Sequence, residues 1–147
     1  PLGVIEVTKT GNDITLVSYG STWRVVYDAA NELEKLGISC EVIDIQSIVP
    51  FDLNCEIVES VKKTNRLLVV DEDVPGGASA YILQKIIEDQ KAYEYLDSSP
   101  STLTAKAHRP PYGKDGDYFT KPSVNDVIEK VYSILNEADP KKFPQLF

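Results

Sequence analysis

The chain has 147 residues, 42% of them hydrophobic and 26% charged, which fits one globular domain long enough to bury a core. Its net charge of −8 disfavours nucleic acid and anionic membranes, because phosphate binding depends on lysine and arginine. The same charge favours a basic protein partner through electrostatic steering, and no apolar run approaches the roughly 18 residues of a bilayer-spanning helix.

Val4 to Val7 alternates and is expected as an edge strand. Gly11-Asn12 forms a turn, and Asp13 leads into a strand over Ile14–Ser18. Tyr19-Gly20-Ser21-Thr22 reads as a loop with two candidate N-caps, Ser21 and Thr22. From Trp23, the apolar positions Val26, Ala29, Ala30, Leu33 and Leu36 recur at helical spacing, and Gly37 is a C-terminal stop. Ile38 to Ile45 is the next strand. Pro50 breaks it, and Asp52 caps a helix whose inner face is Ile57, Val58 and Val61. Lys62 and Lys63 complement that helix's dipole in its last turn.

Leu67 to Val70 is continuously apolar, as expected at the buried centre of a parallel sheet. Gly76 and Gly77 precede a long helix with Ile82, Leu83, Ile86 and Ile87 inside. A further strand is expected near Leu103 to Ala107. The stretch HRPPYGKDGDYFTKPS lacks any period and reads as a loop. Ser123 with Asp126 has capping-box spacing for a last helix with Val124, Val127, Ile128, Val131 and Leu135 inside. The division expected is a domain over 1–135 and a polar, proline-bearing tail over 136–147. Alternating strands and helices predict an α/β fold: a three-layer α/β/α sandwich with a mostly parallel sheet of about five strands.

Candidate chemistry is sparse. Gly20-Ser21-Thr22 and Gly76-Gly77 offer helix starts to an anion, but neither is a Walker loop or a dinucleotide fingerprint. Asp71-Glu72-Asp73 lies where open α/β sheets bind ligands, yet neighbouring strand residues point opposite ways and seldom converge on a metal. Of the three, Glu72 is expected to carry the defined hydrogen-bonding role. His108 is the only histidine and stands beside Arg109, with no serine or cysteine partner in evidence. Cys40 and Cys55 lack metal-ligand spacing and are expected as buried, reduced thiols of a cytoplasmic protein. The chain begins with Pro1 and contains no methionine, so it is expected to be a piece of something longer. Read from these residues alone, it is either an α/β domain without a self-contained active site or a free-standing binding module for a nucleotide or other small anion.

The strings GNDITLVSYG, AANELEKLGISCEVIDIQSIVPFD, ESVKKTNRLLVVDED and PGGASAYI resemble the carboxyl-terminal domain of the transketolase superfamily. Within it they are most similar to the beta subunit of the decarboxylating component of 2-oxoacid dehydrogenases, of the 2-oxoisovalerate (branched-chain) or pyruvate type. The pattern is carried by Gly11, Asp13, Gly20, Ala29, Ala30, Gly37, Glu41, Asp44, Pro50, Asp52, Ser60, Val61, Lys62, Lys63, Thr64 and Glu72. It covers roughly Leu2 to Leu135. The family usually has arginine where Gln46 stands, so the ion pair common there is not carried over to this chain as an expectation.

The resemblance implies a reaction in which thiamine diphosphate and magnesium, bound by other domains, decarboxylate a 2-oxo acid and pass the acyl group to a lipoyl group. It implies no catalytic residue, cofactor or metal ligand in this chain. What it leaves to this domain is assembly: contacts with an alpha region and a second beta region, as a homodimer or heterotetramer, and docking to the basic subunit-binding domain of the acyltransferase. Candidate docking residues are Glu88, Asp89, Glu94, Asp97 and Phe147. Candidate interface or structural residues are Asp44, Asp52, Lys63, Glu72, His108 and Arg109. Branched-chain substrates are the first expectation and pyruvate the next.

Overall fold

A computed structural model describes residues 1–106 and 121–146. It is a five-stranded sheet between two helical layers. The strands are β1 (Glu6–Lys9), β2 (Ile14–Ser18), β3 (Cys40–Asp44), β4 (Leu67–Val70) and β5 (Ser101–Leu103). Their order across the sheet is β1-β3-β2-β4-β5. Only β1 runs antiparallel, against β3, with an irregularity between Val7 and Lys9. The other pairings are parallel. The helices are α1 (Gly20–Lys35), α2 (Glu56–Thr64), α3 (Ala78–Gln84) and α4 (Val124–Ala138). A π-type turn, Lys85–Asp89, extends α3, and a 3-10 turn follows at Ala92–Tyr95. No described helix is long and apolar enough to cross a membrane.

The pleat sorts the strand side chains into two cores. Leu16, Cys40, Val42, Leu68 and Val70 meet Val26, Ala29, Ala30 and Leu33 of α1 and Val127, Val131 and Leu135 of α4. Val17, Ile43, Leu67 and Val69 meet Ile57, Val58 and Val61 of α2 and Ile82 of α3. Burial of apolar area on both faces is the main stabilising term, and it explains why β2 and β4 have no solvent side. The α2 layer also carries polar pins. Thr15 Oγ1 shares 2.7 Å hydrogen bonds with both Ser60 Oγ and Thr64 Oγ1. Lys63 reaches the buried Glu41 carboxylate at 2.5 Å. These bonds fix which turn of α2 faces which strand.

Several expectations are corrected. The first strand lies two residues later than Val4 to Val7, because Ile5 turns into the α2-side core before pairing begins. Ser21 and Thr22 lie inside α1, whose N-cap is Tyr19 without a side-chain cap, so they are not caps. Leu36 is exposed at the helix end, where the chain leaves the core for β3. The last strand precedes Leu103 to Ala107, because its pairing with β4 begins at Ser101 opposite Leu68. Cys55 is exposed in a left-handed turn, and only Cys40 is buried. The capping box is present: Ser123 Oγ accepts from the Asp126 amide while the Asp126 carboxylate accepts from the Ser123 amide. Beyond α4 the tail is anchored. Phe143 is buried in the core cluster shared by α1, α4 and the sheet, the Tyr132 hydroxyl donates to the Pro144 carbonyl, and the Asn136 amide donates to the Phe143 carbonyl.

Candidate functional site

The strand order reverses between β2 and β4. From β2 the chain passes to α1 on one face, and from β4 to α3 on the other. This is the switch point at which open α/β sheets commonly bind ligands. Six residues form it: Tyr19, Gly20 and Ser21 after β2, and Asp71, Glu72 and Asp73 after β4.

The three acids diverge. Asp71 is fully buried, accepting from the Tyr19 hydroxyl at 2.7 Å and from the amides of Asp73 at 3.1 Å and Ser79 at 2.9 Å. Burial, then the hydrogen bond and charge of Asp71, hold the Tyr19 phenol well above the usual tyrosine range. Asp73 accepts from the amides of Val74 at 2.8 Å and Ala78 at 3.4 Å. Glu72 lies within 3.4 Å of Ser21 Oγ and 3.6 Å of Lys121 Nζ. The defined hydrogen-bonding role therefore belongs to Asp71, which corrects the expectation for Glu72. Among the described residues Glu72 meets only these two long contacts.

This geometry suits neither a diphosphate nor a metal ion. Carboxylates of Asp71 and Asp73 already occupy the amides at the Gly76-Gly77 helix start, and Glu72 faces Ser21 at the start of α1. An anion at either place would meet like charge. The Asp71 oxygens are consumed by three donors, and among the described residues no group of three or more potential metal ligands converges. The crevice instead joins β2, β4 and α3 through one buried hydrogen-bonded carboxylate.

The remaining singled-out residues are dispersed. Asp52 is buried and accepts from the amides of Glu56 at 3.0 Å and Ile57 at 2.9 Å, so its side chain caps α2 as expected, though from three residues ahead of the N-cap position, which Cys55 occupies in a left-handed conformation. Gln90, which the sequence did not single out, donates its side-chain amide to Asp52 at 2.9 Å and accepts from the Val58 amide at 3.1 Å. Asp44 accepts from the Gln46 amide at 3.0 Å, while the Gln46 side chain reaches Glu6 at 3.2 Å. Gln46 thus donates to the Glu6 carboxylate and carries no charge of its own to pair with it. Lys63 pairs with Glu41 rather than acting on the helix dipole alone. Glu88 and Asp89 lie on the π-type turn, Asp89 paired to Lys85 at 3.0 Å. Glu94 is exposed on the 3-10 turn, and Asp97 pairs with Arg66 at 3.0 Å. His108, Arg109 and Phe147 lie outside the described residues.

Comparison with known proteins agrees with this scaffold. A family described as transketolase, C-terminal domain, matches residues 3–127. The chain is 36% identical to the pyruvate dehydrogenase E1 component subunit beta of Rhizobium meliloti, over 91% of this chain and 29% of that protein. It is 36% identical to a mitochondrial 2-oxoisovalerate dehydrogenase subunit beta 2 of Arabidopsis thaliana, over 92% of this chain and 37% of that protein. It thus spans well under half the length of these relatives. A solved structure described as a split gene transketolase, inactive beta4 tetramer, superposes with a TM-score of 0.74 at 22% identity, covering 94% of this chain and 43% of that one.

Proposed function

The chain belongs to the transketolase C-terminal domain family, and on that premise we propose that it is the carboxyl-terminal domain of the beta region of a 2-oxoacid dehydrogenase decarboxylating component. The observation that carries this reading is the match over 3–127 together with equal identity to beta subunits of the pyruvate and 2-oxoisovalerate types. In this reading the whole enzyme is an oxidoreductase that uses thiamine diphosphate and magnesium held by other domains. Its substrate is a 2-oxo acid, with 2-oxoisovalerate and pyruvate the two to assay.

The role of this domain is assembly. The buried acids support that role, since Glu41, Asp52 and Asp71 are each committed to a structural partner. Its contacts are the alpha region, a second beta region, and the basic subunit-binding domain of the acyltransferase. The net charge of −8 complements a basic partner and speeds its encounter. Glu88, Asp89, Glu94 and Asp97, with the terminal carboxylate of Phe147, are the docking candidates. Glu88, Asp89, Glu94 and Asp97 are all exposed, and among the described residues Glu88 and Glu94 are in no ion pair, whereas Asp89 pairs with Lys85 and Asp97 with Arg66. A reducing compartment such as the cytoplasm suits the two free thiols.

Titration of the assembled beta dimer with the basic subunit-binding domain tests docking. Binding that weakens as salt rises, and weakens again in Glu88→Lys/Glu94→Lys, supports the role. Complete absence of binding at low salt with the dimer intact removes it.

A further inference from the structure

Two uncharged segments of the chain meet at one corner of the fold. Neither residues 1–5 nor residues 45–51 carry a charged side chain, in a chain that is 26% charged. The Leu53 amide donates to the Gly3 carbonyl at 2.9 Å and ties the segments together. The contact is close: a Cβ on Gly3 would lie 2.7 Å from the Leu53 side chain and 3.2 Å from the Pro50 ring. Behind this corner the backbone is held firmly. Ser47 Oγ donates to the Pro50 carbonyl at 2.7 Å, and Asp52 is buried as the cap of α2. On it stand Leu2, Val49 and Leu53, exposed by 75%, 74% and 65%.

Large aliphatic side chains held outward on a pinned backbone mark a contact surface. Resting on the function proposed above, we propose that this corner is the seat of the domain that precedes it in the beta region, which would cover it with an apolar face. Three observations favour that occupant. The relatives extend well beyond the matched region, which fills 29% and 37% of their lengths, and the matched family is a carboxyl-terminal domain. The corner's exposed side chains Leu2, Val49 and Leu53 are aliphatic, unlike the acidic exterior expected to meet a basic partner, and charge enters only at its border, where Lys85 and Asp89 line the recess beside Leu53. The surface is also small. Three side chains are far fewer than the roughly 20–30 residues that each partner contributes to a stable complex of separate chains. A tethered neighbour needs less area, because linkage raises its effective concentration to the millimolar range.

Hydrogen–deuterium exchange, compared between this chain and the longer beta region, tests the proposal. The amides of residues 2–5 and 47–54 are expected to exchange at least tenfold more slowly in the longer protein. Val49→Ser/Leu53→Ser, both surface changes, should return them to the rates of this chain while leaving its own unfolding midpoint unchanged. Equal exchange in the two proteins overturns the proposal. So does a dimer of this chain that the double substitution dissolves, since a second copy would then be the occupant. A longer protein that protects the corner yet decarboxylates no 2-oxo acid would refute the proposed function and leave this surface standing.

Discussion

Replacing Asp52 isolates the interaction that holds α2 on the sheet. Its carboxylate serves three donors: the Glu56 amide at 3.0 Å, the Ile57 amide at 2.9 Å and the Gln90 side-chain amide at 2.9 Å. It is 2% exposed, so water cannot substitute freely. Loss of an N-cap costs about 1 kcal/mol. Stranding the Ile57 and Gln90 donors adds about 1 kcal/mol each. Asp52→Ala should therefore destabilise the domain by about 3 kcal/mol, or lower the melting midpoint by about 9 °C at this size. Asp52→Asn keeps one acceptor oxygen and should cost about 1 kcal/mol. Urea unfolding monitored by circular dichroism measures both, by linear extrapolation. A double-mutant cycle with Gln90→Ala should return a coupling of about 1 kcal/mol. If Asp52→Ala unfolds within about 0.5 kcal/mol of the parent, as surface substitutions do, the capping account is refuted.

The two thiols should separate in rate. Ellman's reagent should modify exposed Cys55 promptly and buried Cys40 only on unfolding, and simultaneous fast reaction of both would contradict the fold. Burial pushes the Cys40 thiol up to about 12 from an ordinary 9.0, so above about pH 9 the unfolded chain releases this proton while the folded chain keeps it. Stability contributed by this group is thus lost as pH rises from about 9 to 12, by up to ~1.4 kcal/mol per pH unit, and Cys40→Ala should flatten that limb in urea unfolding. Gly11→Ala would place a Cβ 2.2 Å from the Cys40 carbonyl carbon, a backbone atom that cannot yield, and should cost about 3 kcal/mol by the same assay. Phe143→Ala should cost about 3 kcal/mol despite lying in the tail, because its ring is buried in the core cluster that α1 and α4 close over the sheet.

Where the sequence carried a local cause, the fold was readable. β2 and β4 match their apolar runs residue for residue, and the Ser123–Asp126 box marks the start of α4. Asp52 was legible as a cap because it follows a helix-breaking proline and precedes an apolar period. Elements set by distant partners were not. β1 and β5 are edge strands of four and three residues, whose limits follow from pairing with β3 and β4 rather than from their own pattern. The start of α1 was misplaced because Ser21 and Thr22 are common N-caps, whereas Tyr19 occupies that position without a side-chain cap. Asp71, Glu72 and Asp73 do diverge, but β4 ends at Val70 and they lie in the turn beyond it, so strand alternation is not the cause. Their pattern did not say which one turns inward, since that is decided by Tyr19, 52 residues away, and by the Ser79 amide. Gln90 carried no signal at all; its role exists only because the π-type turn brings it to the start of α2.

The most direct test of the account is reconstitution of the enzyme with and without this domain. Decarboxylation of pyruvate and 2-oxoisovalerate should be measured with thiamine diphosphate and magnesium, alongside calorimetric titration of the cofactor into this chain alone. The account predicts turnover only when the domain completes the beta region, and no cofactor binding by the chain itself. Tight binding of thiamine diphosphate by this chain, or full turnover by an enzyme lacking it, would contradict the central claim.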